Sequence, residues 1–198
     1  MNQFENNGKG CLIAISSMYG CTEEIALKIK DTLDNSSVKA EIVKCNDKNQ
    51  LQALVQRDLT QYSGVLLGSG IVVGKVHKNI STILKKLEST SFNGTKIGFY
   101  ICCMKACNPG KIIEAKSQYL DPKLKKFNLK YSLVDTFGGK LDFSPTSPLK
   151  PLIKAIIKKI MLKDNPEFGT IEPKVYDFRD WQQINKFATS WLKIIKND

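Results

Sequence analysis

The residues best placed to do chemistry follow a short apolar run. Leu12-Ile13-Ala14-Ile15 gives way to Ser16-Ser17-Met18-Tyr19-Gly20-Cys21-Thr22, and helical spacing begins at once, with Ile25, Ala26, Ile29 and Leu33 on one side. Hydroxyls, one glycine and a helix N-terminus make an anion cradle, because main-chain N–H groups converge there and the helix dipole favours negative charge. The stretch lacks G-x-x-x-x-G-K-[ST] and G-x-G-x-x-G, so it is neither the P-loop of a nucleotide hydrolase nor a dinucleotide fingerprint. A single phosphate fits it better. An ordinary capping turn is the competing reading, since Thr22 followed by Glu23 and Glu24 would cap any helix.

Two further apolar runs end in loops of a different kind. Gly64 to Gly68 precedes Ser69-Gly70-Ile71-Val72-Val73-Gly74-Lys75-Val76-His77, and Lys96 to Cys103 precedes Met104-Lys105-Ala106-Cys107-Asn108-Pro109-Gly110. One phosphate-like loop beside two small, apolar ones describes a pocket for a flat ring with a phosphate tail. His77, the only imidazole, is a candidate proton donor or carboxylate contact because histidine titrates near neutrality; a solvated helix-start histidine is the plainer alternative. Lys105 stands at a strand end, where it would place positive charge beside a ring; a surface lysine competes with that. The six cysteines (Cys11, Cys21, Cys45, Cys102, Cys103 and Cys107) have no C-x-x-C spacing, and one histidine supplies no second ligand cluster, so no metal site is expected. They read as reduced thiols used as small hydrophobes. Cys102, Cys103 and Cys107 invite a redox dithiol, but the adjacent Cys102 and Cys103 point to opposite faces of a strand, so no more than one of them can face a ligand.

The elements that must position these groups alternate regularly. Strands are expected at Leu12–Ile15, Val38–Val43 (an edge strand, by its alternation), Gly64–Gly68, Lys96–Cys103 and Tyr131–Phe137. Helices are expected at Thr22–Leu33, around Leu51–Val55, at Lys78–Leu87, from Pro109 with a break at Asp121-Pro122, at Leu149–Leu162 and at Trp181–Ile195. Asn93-Gly94 marks a turn. Alternation of this kind implies a parallel sheet covered on both faces, with ligands beyond the carboxyl ends of the strands. The stretches Ser144–Pro148 and Asn165–Pro173 read as mobile loops. At 198 residues, with 42% hydrophobic and 25% charged, the chain is long enough for one domain, and it is neither a disordered tail nor a disulfide-stapled knot. It contains no run of 18 apolar residues.

The S-S-x-x-G-x-T loop, G-S-G-I-V-V-G-K-V-H and the strand before Cys102 resemble a flavodoxin-type FMN-binding domain. Phe137-Gly138-Gly139-Lys140-Leu141, the basic helix after it, Val175-Tyr176 and Asp180-Trp181 resemble the menaquinone-dependent protoporphyrinogen oxidase branch of that superfamily. The likeness runs from about Cys11 to Ile195 and implies one flavodoxin-like α/β domain over residues 1–198. It implies a three-layer sandwich with a five-stranded parallel sheet in the order 2-1-3-4-5, bound FMN and oxidoreductase chemistry. Carried over by position, Ser17, Met18, Tyr19, Gly20, Cys21 and Thr22 would hold the FMN phosphate. Ser69, Gly70, Ile71, Val72, Val73 and Gly74 would flank one side of the isoalloxazine, and Cys103, Met104 and Lys105 the other. Two departures stand out: neither flanking loop has the aromatic ring that flavodoxins usually stack on the flavin, and Met18 replaces a polar residue common in the branch.

A formal net charge of +11 predicts attraction to something anionic. Leu149, Leu152, Ile153, Ile156, Ile157, Ile160 and Met161 recur at helical spacing with Lys150, Lys154, Lys158 and Lys163 opposite them, so this helix either covers the sheet or lies on an anionic leaflet. The family-specific stretch 144–173 is expected to form the substrate side of the pocket. The partners expected are a small-molecule donor such as protoporphyrinogen IX and menaquinone as acceptor; a flavodoxin-type carrier serving a protein partner is the alternative. No nucleic-acid motif accompanies the charge. The polar N-terminus has no secretory pattern, so a cytoplasmic protein, peripheral to the inner face of the membrane, is expected.

Overall fold

Successive side chains on a strand point to opposite faces, and the first strand sorts its residues accordingly. In the computed structural model, which describes residues 9–196 apart from Ser91, Asn93 and 165–168, β1 (Cys11–Ser16) sends Leu12 and Ala14 into one core and Ile13 and Ile15 into the other. Asn93 of the expected Asn93-Gly94 turn and residues 165–168 of the expected loop 165–173 lie outside the described residues; Gly94 takes a left-handed φ of 95°.

The elements run α1 (Cys21–Asp34), β2 (Ala40–Lys44), α2 (Lys48–Gln56), β3 (Gly64–Val72), β4 (Lys75–Val76), α3 (Lys78–Glu88), β5 (Lys96–Cys102), α4 (Ile112–Ala115), α5 (Asp121–Lys126), β6 (Tyr131–Phe137), β7 (Lys140–Asp142), α6 (Pro151–Asp164), β8 (Val175–Asp177) and α7 (Trp181–Lys196). Five parallel strands stand in the order β2-β1-β3-β5-β6, which is 2-1-3-4-5 when only these are counted. On one face α3 buries Ile80, Ile83, Leu84 and Leu87 against Leu67 and Phe99; on the other, α1 and α7 bury Ile25, Ile29, Phe187 and Trp191 against Ile13 and Tyr100. Each fully buried aliphatic side chain contributes about 1.5–3 kcal/mol, and this double layer carries the sheet.

Four features differ from the sequence expectation. The presumed loop 69–74 is the end of β3, followed by a two-residue turn at Val73-Gly74 and the antiparallel strand β4. Residues Lys116–Leu120 form a π-turn that runs without a break into α5, where Pro122 sits in the first turn. The third difference is a separate two-stranded sheet, in which β7 pairs with β8 across the intervening helix. Finally, α6 does not cover the parallel sheet. It packs Ile157, Met161 and Leu162 on Phe143, Ile171 and Tyr176 beside that hairpin.

Candidate functional site

Strand register brings three loops to one edge of the sheet. Ser16 pairs with Ser69, and Gly70 with Cys102, so β1, β3 and β5 end level with each other. This edge includes the switch point of strand order, between β1 and β3, where open α/β sheets bind ligands. The first loop turns at Gly20, whose φ of 82° is a left-handed conformation that suits glycine. Gly20 is also the N-cap of α1, and it supplies no side-chain cap, so Thr22 does not close the helix as a capping turn would. Asn46, two residues after β2, holds the loop: its Oδ1 accepts the Ser17 N–H at 2.8 Å and the Ser16 hydroxyl at 3.1 Å. Met18 and Tyr19 are exposed and Thr22 is buried. A Cβ on Gly70 would lie 3.4 Å from Thr22 Oγ1, which sets the end of β3 directly against the cradle.

The acidic first turn of α1 is neutralised away from the loop. Glu23 pairs with Lys44 at 2.5 Å, and Glu24 with Lys140 and, at 2.7 Å, with Arg179. Arg179 also grips Asp177 at 2.6 Å, its side chain only 3% exposed, and its guanidinium lies 4.5 Å over the Trp181 ring. Partial burial alone would raise the Glu24 carboxyl, but the hydrogen bonds and charges of Lys140 and Arg179 outweigh it and hold the group below its ordinary range. Burial likewise opposes the charged guanidinium, and the two carboxylates still keep Arg179 protonated more firmly than usual. This cluster joins the β7–β8 hairpin to α1, just behind the cradle. Sequence reasoning missed Glu24 and Arg179 because their contact spans 155 positions. A signal existed only for Asn46, a polar residue two positions after an edge strand.

In the second loop Ser69 is fully buried; its hydroxyl donates to Gly70 O and accepts the His77 N–H at 3.0 Å. Ile71 packs on Cys103, Ala106 and Ala115, so the second loop and the third touch. Val72 is partly buried, whereas Val73 at the hairpin tip is 94% exposed with a positive φ, unusual for a β-branched residue, and Gly74 follows it with φ 70°. His77 is the N-cap of α3, its Nδ1 accepting the Asn79 N–H at 3.3 Å. Burial, with a smaller contribution from Lys78, lowers its pKa, so the imidazole stays neutral at pH 7. The plainer reading of His77 describes its contacts.

In the third loop Cys103 is buried, and its N–H donates to Phe137 O at 3.1 Å. Lys105 turns back onto α4 and the π-turn, reaching Glu114 and Gln118 at 2.5 Å and lying over the Tyr119 ring. Beside it a narrow cleft is lined by Met104, Lys105 and Asn108 from the loop, Leu141 and Phe178 from the hairpin region, and Ile160 from α6. The hairpin and α6 therefore border the third loop. On α6 itself Leu152 is 72% exposed, and Ile153, Ile156 and Ile160 are exposed too. Lys154 donates to Ser144 O at 2.7 Å and Lys158 lies over the Phe143 ring, so two of the four expected basic-face lysines are engaged within the protein. Lys150, Lys159 and Lys163 remain solvent-exposed. Among the described residues no helix is long and apolar enough to cross a membrane, and no group of three metal-ligating side chains occurs.

The model of the flavodoxin domain family matches residues 12–167, which is most of the chain. The chain belongs to the flavodoxin domain family. The fold is shared at low identity with solved structures. A short-chain flavodoxin associated with a bacterial microcompartment has a TM-score of 0.53 at 16% identity, covering 94% of this chain and 99% of that one. A flavodoxin from Pseudomonas aeruginosa has 0.52 at 11%, covering 94% and 99%. The rubredoxin oxygen:oxidoreductase of Desulfovibrio gigas has 0.51 at 10%, and there this flavodoxin domain spans 94% of its own length but only 36% of the other chain. No match was found among curated proteins. The cofactor of the flavodoxin family is FMN. Its phosphate suits a cradle in which the first helical turn lacks a side-chain cap, Gly20 presents no Cβ, and both nearby glutamates are already paired.

Proposed function

We propose that this chain is an FMN-dependent oxidoreductase acting on a small reduced organic donor. In this reading Ser17 to Thr22 hold the phosphate, while Ser69 to Gly74 and Cys103 to Lys105 border the ring. FMN, when bound, supplies the electron-accepting chemistry, and the protein orients the reactants and tunes the site. The observation that supports the enzyme reading is that Ile160 of α6, with Leu141 and Phe178 of the hairpin region, stands beside Met104 and Lys105 of the third loop. In this reading Ile160 and Met161, from the family-specific stretch, would form one wall beside the ring. Resemblance to the protoporphyrinogen oxidase branch names protoporphyrinogen IX as the donor and menaquinone as the acceptor.

The exposed ridge of Leu152, Ile153, Ile156 and Ile160, with Lys159 and Lys163 alongside, suits an anionic leaflet where a lipid quinone resides. Each lysine near such a surface adds about 1 kcal/mol of attraction, and the apolar ridge adds burial in the acyl boundary. The carrier reading is favoured by a different observation: Met18, Tyr19 and Val73 give the loop rim an exposed apolar character suited to a protein partner.

Anaerobic turnover of protoporphyrinogen IX with a menaquinone analogue, using purified FMN-loaded protein alone, separates the two. Quinone-dependent porphyrin formation is expected. A protein that binds FMN, yet turns over only when a reductase or acceptor protein is added, is a carrier.

A further inference from the structure

Three thiols gather where the start of α1, the end of β5 and the strap Gly138–Lys140 meet. Cys21 Sγ lies 3.4 Å from Cys102 Sγ, although the two are 81 positions apart. Cys102 is buried, and its S–H is within reach of both Cys21 Sγ and Gly138 O, the latter at 3.2 Å. Cys21 is partly exposed and accepts the Lys140 N–H at 3.1 Å, while Cys107 sits one step away, accepting the Gly139 N–H at 3.3 Å. The strap passes over the pair at Gly139, where even an added Cβ would lie only 3.7 Å from one sulfur and 3.9 Å from the other.

We infer that Cys21 and Cys102 form a peroxide-reactive dithiol, with Cys21 the attacking sulfur and Cys102 the resolving one. The Cys21 thiolate attacks one oxygen of hydrogen peroxide, the O–O bond breaks, and Cys21 becomes a sulfenic acid while hydroxide leaves as water. Cys102 sulfur then attacks the Cys21 sulfur, the S–O bond breaks, a second water leaves, and the S–S bond forms. Both sulfurs together give up two electrons, and the peroxide takes them. The sulfurs must close from 3.4 Å to about 2.05 Å for the bond to form.

The environments of the six thiols support this division of labour. At Cys21 the hydrogen bond from Cys102, the Arg179 charge and the Lys140 N–H outweigh burial and the opposing Glu24 charge, and lower its pKa to about 7. Cys102 is pushed up by its hydrogen bond to Cys21 and by burial, as befits a thiol that stays protonated until the partner is oxidised. Burial pushes Cys11, Cys45 and Cys107 up to about 12 and raises Cys103 as well, so these four are poor nucleophiles.

The test uses the full chain as purified, treated with a small excess of hydrogen peroxide at pH 7.5, then alkylated and mapped by mass spectrometry. Two of the six thiols should disappear, with a single Cys21–Cys102 cross-linked peptide that dithiothreitol releases. Cys21→Ser should abolish the cross-link and leave the remaining thiols reduced over the same period. In Cys102→Ala the sulfenic acid of Cys21 should accumulate and be trapped by dimedone. Because Cys102 is buried, its variant is accepted only with a native circular dichroism spectrum; the wild-type map and Cys21→Ser decide the matter without it. Retention of all six thiols overturns the inference. So does a cross-link made by Cys103 or Cys107 in place of this pair.

Discussion

α6 and α7 are written in the same code and meet opposite fates. Both carry apolar residues three and four apart with lysines between them. α7 buries Ile184, Phe187, Ala188, Trp191 and Ile195 against α1 and the sheet, whereas α6 leaves Leu152, Ile153, Ile156 and Ile160 in solvent. Trp191 shows what decides this. Its ring lies over Gly64 and Gly98, and its indole N–H donates to Cys11 Sγ at 3.3 Å, so the sheet beneath is shaped to receive it. α6 has only a two-stranded hairpin beneath it, too small to cover its whole apolar surface. Periodicity tells which residues share a face; the area available opposite tells whether that face is buried. The α1–α7 side is therefore the foundation of the cradle, and α6 is an outward-facing attachment beside it.

This contrast fixes where substitutions should matter. The largest effect is expected at the cradle itself. Gly20→Asp adds a strained side chain in a left-handed position and a carboxylate where the phosphate would sit, so saturable FMN binding should be lost while the circular dichroism spectrum is kept. Retained micromolar affinity would move the phosphate elsewhere. On the foundation, Trp191→Ala should cost about 3–5 kcal/mol in urea unfolding, the range for losing a large buried aromatic. Leu152→Ser on α6 should stay within about 0.5 kcal/mol. Equal costs would mean that α6 is covered in solution.

The hairpin that carries α6 is fastened to the foundation through Arg179. Arg179→Gln should destabilise by about 1–3 kcal/mol, below the range for a fully buried pair because the Glu24 and Asp177 side chains are 38% exposed. The hydrogen bonds from Arg179 hold the Asp177 carboxyl low in the fold, and Glu24 is held low by the contacts described above. A depressed folded pKa stabilises above the unfolded value, near 4, and that stabilisation is lost as pH falls through the folded one. The wild type should therefore lose stability more steeply than Arg179→Gln as pH falls below about 4, read from urea midpoints.

The smallest effects test the attachment. Changing Leu152, Ile156 and Ile160 together to Ser should leave FMN affinity unchanged and reduce co-sedimentation with phosphatidylglycerol vesicles several-fold. Lys159 and Lys163 to Gln should weaken sedimentation less, and only at low salt. Unchanged sedimentation in both variants would remove the membrane from the account.

Much of this frame was legible in residue order. Continuous apolar runs at 12–15, 64–67 and 97–101 read as strands buried on both faces, with the loops after them expected at one edge. Other features were hidden for physical reasons. The end of β3 looked like a loop because Gly68-Ser69-Gly70 interrupts the apolar run, while the pairing of Ile71 with Val76 across Val73-Gly74 holds the strand in place. β7 and β8 are three residues each and pair across α6, too short and too distant to leave a periodic signal. Arg179 and the Cys21–Cys102 contact join residues far apart in sequence, and only the closed fold brings them together. The basic face of α6 was overcounted, since spacing does not reveal that Lys154 and Lys158 fold back onto Ser144 and Phe143.

The central claim is that the Ser17–Thr22 loop binds the phosphate of FMN. It is tested most directly by titrating the full chain against the fluorescence of FMN and, in parallel, of riboflavin, which has the same ring without the phosphate. The account predicts saturable quenching of FMN at micromolar protein and at least tenfold weaker binding of riboflavin. Absence of quenching with FMN, or equal affinity for the two flavins, would contradict it.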